Sequence, residues 1–359
     1  MSRWPALATL IVVVAVSGCA TQRAVTANDS TALIMVPADQ AGIRDRRSEF
    51  RDVFCTVLSA HQGQDGSGEN CDSWLVRLAD EPRHSPVRPD LHASKRAITV
   101  LFVPGFASDC VDETKQTRTD FKDSLARAGY HFQRVQVSGI SSSEENAKLI
   151  RDTILADPEL GVSRQLIVAG HSKGVDDILE ALVMYPELQP RVTAVVSFAG
   201  AVGGSPLADL APDVAVSIAR NIPGITCDRG DGLALESLSP LVRQRWLASH
   251  KLPDRIRYYS VVTLPTPDRV SSGLKPGYNV LSEIDPRNDG ILLFYDQVIP
   301  GSTLLGYVNA DHWAIARDFD SSEFALVRTL GDKTDFPRQA LLEATLRFIE
   351  LDPGAAPQN

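Results

Sequence analysis

Clustered positive charge is what this 359-residue sequence most lacks. Its 36 Lys and Arg are outnumbered by 45 Asp and Glu, giving a formal net charge of −9. The basic groups are short, such as Arg44-Asp45-Arg46-Arg47. Phosphate contacts need clustered Lys and Arg, so no nucleic-acid partner is expected. There is no internal repeat, which excludes a repeat array, and no long low-complexity run. The apolar stretch 6–16 is too short to span a bilayer, whose hydrocarbon core of roughly 30 Å needs about 20 residues. Cysteine is scarce, with five residues, and the spacings do not resemble a zinc site. Hydrophobic residues make up 43% of the chain. That is enough for a sizeable core: one large α/β domain with additions, or two modest domains.

The N-terminus is organised. Arg3 precedes the apolar run A-L-A-T-L-I-V-V-V-A-V (6–16), which has the dimensions of the hydrophobic region of a signal peptide. It ends at Val16-Ser17-Gly18-Cys19, which resembles a bacterial lipoprotein lipobox. The resemblance implies a signal peptide over 1–18, cleavage before Cys19 and lipid attachment to its sulfur. Acyl chains contribute about 0.8 kcal/mol per buried CH₂, so a multiply acylated Cys19 anchors the chain to a membrane. Ala20, where an aspartate would favour inner-membrane retention, implies the periplasmic side of an outer membrane in a Gram-negative-type envelope. A plain secretory signal with a chance cysteine is the alternative. Residues 19–41 then read as a tether. The remaining cysteines, Cys55, Cys71, Cys110 and Cys227, allow three disulfide pairings in an exported chain. We favour Cys55–Cys71 and Cys110–Cys227, against four buried thiols.

Residues 42–95 read as a helical extension and linker too small for a core of its own. Apolar spacing through Phe50, Val53, Phe54 and Val57 predicts a helix over 43–60. A second short helix is expected over 71–78, and Pro82, Pro86 and Pro89 mark a linker. From residue 96 to 351 the pattern alternates. Strands are predicted at 97–105, 131–138, 165–169, 192–199, 255–263 and 304–309, with helices at 112–128, 142–156 and 175–184. Repeated βα units with strands apolar on both faces argue for a mostly parallel sheet flanked by helices. The excursion over 203–254, without a clear strand, reads as a cap over a pocket or else a passive surface insertion.

Within this frame Gly170-His171-Ser172-Lys173-Gly174 follows a predicted strand and opens a predicted helix. A nucleophile elbow needs that context, with glycines where the turn crowds the backbone. A general base must follow. Of the two later histidines, His250 sits at an expected exposed helix end. His312 follows the last predicted strand and precedes an expected helix, so it is the candidate base. The carboxylate that orients such a histidine should lie between 263 and 312. Asp268, Glu283, Asp285, Asp289 and Asp296 qualify, and the turn Asn288-Asp289-Gly290 before an apolar run favours Asp289. Asp311 reads as a loop-stabilising group. Backbone N–H groups of Phe106, beside Gly105, and of Lys173 are candidate oxyanion donors. The Lys173 side chain is expected in solvent.

The order Ser172, Asp289, His312, together with G-H-S-K-G and P-G-F, resembles the α/β-hydrolase superfamily and its lipase and esterase-like members. The likeness covers roughly 96–350, and no H-G-G-G run is present. It implies an α/β-hydrolase fold and a serine hydrolase of carboxylic esters, acting on an ester or acyl-lipid. That chemistry requires no cofactor, and no metal ligand set is apparent. An envelope acyltransferase with the same triad is an alternative. A non-catalytic lipid-anchored binding or assembly lipoprotein is another, although a scaffold has no need of all three residues.

Overall fold

The computed structural model describes residues 42–65, 70–78, 81–108, 122–210, 230–316 and 325–352. Cys19, Cys110 and Cys227, and most of the helix expected over 112–128, lie outside these residues. Eight strands form one sheet: β1 (Arg44–Asp45), β2 (Leu75–Val76), β3 (Ile98–Val103), β4 (Tyr130–Arg134), β5 (Gln165–His171), β6 (Val192–Phe198), β7 (Arg257–Thr263) and β8 (Thr303–Val308). Their order is β1-β8-β7-β6-β5-β3-β4, parallel throughout, and β2 pairs antiparallel with β8.

The helices are α1 (Arg47–Asp65), α2 (Ser143–Ala156), α3 (Lys173–Met184), α4 (Pro206–Leu210), α5 (Ala234–Ser237), α6 (Pro240–Ser249), α7 (Lys275–Ser282), α8 (Ala325–Leu330) and α9 (Arg338–Leu351). A further short helical stretch covers 122–127. Side chains alternate across a strand, and β5 shows the consequence. Ile167 and Ala169 join one core layer with Phe50, Val53 and Phe54 of α1 and Phe348 of α9. Leu166 and Val168 join the other, with Ile150 and Ile154 of α2 and Ile178 and Leu182 of α3. Both faces are covered, which is why these strands read as nearly unbroken apolar runs.

The N-terminal segment builds part of this body. Phe50 meets Phe348 edge to face at 5.9 Å, an arrangement worth about 0.5–1.5 kcal/mol beyond the area it buries. The Cys55–Cys71 disulfide ties α1 to the turn at Cys71–Ser73. The helix expected over 71–78 does not form. A single 3-10 turn at Cys71–Ser73 leads into β2, which pairs Leu75 with Val308. Trp74 is buried edge-on against Phe336 at 5.5 Å. The open edge of β8 and this pocket for Trp74 outweigh local helical preference.

The described part of the 203–254 excursion contains α4, α5 and α6. Asp231 accepts from Ser142 N (2.8 Å) at the start of α2, where the Ser142 hydroxyl accepts from Glu145 N. Ala208 and Leu238 of the excursion cluster with Ala201, Leu292 and the half-buried Phe106. The excursion therefore packs on loops that leave the carboxyl ends of β3 and β6. In open parallel sheets that edge is where ligands bind.

Candidate active site

β5 ends at His171, and the chain turns at Ser172 with φ 55° and ψ −131° before α3 begins at Lys173. A residue other than glycine in so sparsely populated a conformation costs on the order of 1–3 kcal/mol. Close packing holds the turn. A Cβ on Gly174 would stand 2.3 Å from the Val103 carbonyl oxygen, and one on Gly105 would stand 2.7 Å from Ser172 Cβ. Glycine is required at both places because the loop after β3 presses directly on the turn. Ser172 is the N-cap residue of α3, where a serine hydroxyl ordinarily accepts from a backbone N–H of the first turn. Here it makes no capping bond. Ser172 Oγ lies instead 2.8 Å from His312 Nε2.

His312 lies in the loop after β8, three strands across the sheet from β5, and is buried. Its Nδ1 lies 2.8 Å from Asp289 Oδ2, and its backbone N–H donates to the Asp289 carbonyl at 3.1 Å. A carboxylate accepts only, so the proton between them belongs on Nδ1 and Nε2 is left to accept from Ser172. Residues 312–316 form turns rather than the start of the helix expected there. Asp311 shapes them: its carboxylate accepts from Trp313 N (3.0 Å), Ala314 N (2.8 Å) and Ser271 N (2.6 Å). Burial pushes its carboxyl up, and the Ser271, Ala314 and Trp313 hydrogen bonds oppose the shift. The His171 imidazole is 2.8 Å from the His312 carbonyl oxygen, linking the elbow to the same turn.

Asp289 is fully buried and accepts five hydrogen bonds. Oδ1 takes Ile291 N (2.9 Å) and Leu292 N (2.7 Å). Oδ2 takes His312 Nδ1, Thr263 Oγ1 (2.5 Å) and Gln297 Nε2 (3.3 Å). The other carboxylates considered from the sequence point elsewhere. Asp268 and Glu283 are exposed. Asp285 pairs with Arg287 at 2.6 Å. Asp296 sits against Gly203, with its carboxyl pushed up to about 7 by burial. His250 is exposed at the end of α6.

Ser172, His312 and Asp289 are thus brought together, with loop 104–106 beside them. Lys173 N–H occupies the first position of α3, where a helix leaves its amides without intrahelical acceptors. Its side chain departs from the expectation of a solvated lysine. It is 1% exposed and paired with Asp177 at 2.6 Å, and Asp177 also accepts from Asn146 Nδ2 at 2.8 Å. The body of α3 packs its N-terminal polar residues under α2, so burial is compensated by a pair rather than by water. Thr263 and Gln297 were not anticipated. They lie 34 residues apart in the chain, and no local motif joins them. Among the described residues no cluster of His, Cys, Asp and Glu could hold a metal ion.

No model of a known protein family matches the sequence, and no curated protein does. Solved structures do match. A metagenomic carboxyl esterase, MGS0156, is similar over 90% of this chain and 97% of its own, at 37% identity and a TM-score of 0.81. The mature lipase BlEst2 from Bacillus licheniformis shares the fold, with 21% identity over 62% of this chain and 88% of its own and a TM-score of 0.50. A parallel sheet flanked by helices, the elbow at the end of β5 and the extent of the likeness to the metagenomic esterase agree, and the chain belongs to the α/β-hydrolase family of carboxylesterases.

Proposed function

We propose that the chain hydrolyses carboxylic esters through an acyl-enzyme on Ser172, with His312 as general base and acid and Asp289 as its orienting carboxylate. The observation that carries this reading is the Ser172 hydroxyl, diverted from capping α3 and aligned on His312 Nε2 at 2.8 Å. Ser172 Oγ attacks the acyl carbon while its proton passes to Nε2. The imidazolium so formed is stabilised by Asp289 and returns the proton to the departing alcohol oxygen. Water then attacks the acyl carbon, giving its proton to Nε2, and the carboxylic acid leaves as Ser172 recovers its hydrogen. The N–H groups of Phe106 and Lys173 are the proposed donors to the oxyanion, and losing one such donor typically costs about 2.7–4 kcal/mol.

Hydrolysis of a short-to-long p-nitrophenyl ester series, beside Ser172→Ala, tests the reading. Turnover and labelling by a fluorophosphonate should both vanish in the variant, and persistence of either would remove Ser172 from the chemistry. The lipobox-like Val16-Ser17-Gly18-Cys19 supports a lipid-anchored enzyme of the cell envelope, facing the periplasm and taking ester or acyl-lipid substrates. On expression in a Gram-negative host, the wild type should sediment with membranes and a Cys19→Ser chain should not. Equal sedimentation of the two would sink the anchor.

A further inference from the structure

We infer that Thr263 and Gln297 form a positioning clamp that sets how strongly Asp289 acts on His312. The inference rests on the triad reading above. Thr263 closes β7, and Gln297 ends the 3-10 turn Phe294–Gln297 that follows the Asp289 loop. Both side chains are fully buried. The orientation of the Gln297 amide follows from chemistry, because Thr263 N–H can only donate and reaches Gln297 Oε1 at 2.7 Å. The oxygen of the amide is therefore fixed toward β7. Its Nε2 faces Asp289 Oδ2 and the Thr263 carbonyl, each at 3.3 Å. Thr263 Oγ1 has one proton and two neighbouring acceptors, Asp289 Oδ2 at 2.5 Å and Gln297 Oε1 at 2.9 Å. The shorter contact, to the charged oxygen, takes the proton.

Both clamp donors land on Oδ2, the oxygen that also receives His312 Nδ1–H. Oδ1 is occupied separately by the backbone amides of Ile291 and Leu292. The division has a consequence. The amides hold the turn, whereas the clamp fixes the direction of Oδ2 and draws off part of its negative charge. A weaker clamp leaves Oδ2 more basic toward the imidazole, so the imidazolium of His312 becomes harder to deprotonate. The same change loosens the angle at which Nε2 meets Ser172. The clamp thus keeps His312 aimed at Ser172 and tempers the pull of Asp289 on its Nδ1 proton.

The test is steady-state kinetics across pH for the full chain and for Thr263→Ser, Thr263→Val, Gln297→Glu and Asp289→Asn. Active sites are counted by fluorophosphonate labelling taken to completion. Thr263→Val should lower kcat per labelled site by about 10- to 100-fold, the effect of losing a hydrogen bond to a charged group, with KM little changed. The acid limb of its kcat/KM profile should move upward by roughly half a unit. Thr263→Ser, which keeps the hydroxyl, should restore both quantities. Gln297→Glu places a second carboxylate oxygen against Oδ2 and should lower kcat at least as far. A serine variant no better than valine, or a valine variant with wild-type kcat and acid limb, overturns the clamp. If Thr263→Val does not fold, Gln297→Glu decides, and wild-type kinetics there overturn the clamp equally. Wild-type kcat in Asp289→Asn would instead bring down the triad reading itself, so the two failures are distinguishable.

Discussion

Asp289 and Asp176 are both fully buried, the first in the turn before Ile291 and Leu292 and the second in the first turn of α3. Their surroundings differ. Asp289 accepts five hydrogen bonds, three of them on the oxygen that faces His312. Asp176, in the first turn of α3, has no hydrogen-bond donor for either oxygen among the described residues. The guanidinium of Arg243, on α6 of the excursion, stands 3.4 Å from it. Burial pushes the Asp176 carboxyl up to about 8, against the pull of Arg243. Burial by itself therefore does not say whether a carboxylate is held by converging donors. A dry carboxylate is costly to keep charged, and donors converging on it offset that cost. At Asp289 they are supplied by three separate segments; at Asp176 they are missing.

The sharpest way to break this comparison is to make the same substitution at both places. Asp289→Asn keeps the shape but replaces an acceptor oxygen facing His312 Nδ1 with an NH₂ or a weaker carbonyl. The imidazole then loses the tautomer that leaves Nε2 free for Ser172, and kcat should fall by about 10⁴-fold. Asp176→Asn should leave kcat within about threefold, since the side chain touches neither Ser172 nor His312. Ester turnover measured on equal concentrations of labelled sites checks both. Comparable losses at the two positions would mean that the ion pair under α3 acts on the chemistry, and the distinction would collapse.

Much of the candidate site is legible in the sequence because its requirements are local. The elbow announces itself through an apolar strand, two glycines demanded by Val103 and by the packing of α3, and a helix whose period is unmistakable. Asp289 is legible because a turn of Asn, Asp and Gly before an apolar run can aim a carboxylate inward. What escapes is non-local. Lys173 and Asp177 carry the i, i+4 spacing that on most helices means a solvated pair; only the packing of α2 across them, through Asn146, makes them buried. Thr263 and Gln297 are ordinary strand and turn residues until β7 and the acid turn are laid side by side. The same is true of β2. Two residues carry too little pattern to reveal a strand, and the edge of β8 that recruits them lies more than 200 residues away. Residues 42–78 thus belong to the sheet and to α1 and α9, a role that their own composition does not disclose.

The smaller effect of the paired substitutions is in stability, and its sign follows from linkage. In the unfolded chain Asp176 releases its proton near pH 4, whereas in the folded chain burial holds it to about pH 8. Between those limits the folded state binds more protons than the unfolded one, so stability falls as pH rises, and the decline from this group ends above about pH 8. Asn cannot titrate and keeps an oxygen for the guanidinium of Arg243. The melting temperature of Asp176→Asn, taken relative to wild type, should therefore climb steadily from pH 5 to pH 8 and then level off. Carboxylates common to both proteins cancel in that difference. A flat difference would mean that Asp176 stays ionised in the folded protein, compensated by Arg243 and Lys173. Nearby cations would then do for Asp176 what five hydrogen bonds do for Asp289, and the donors around Asp289 would have to be explained by direction alone, as the means of aiming His312 at Ser172.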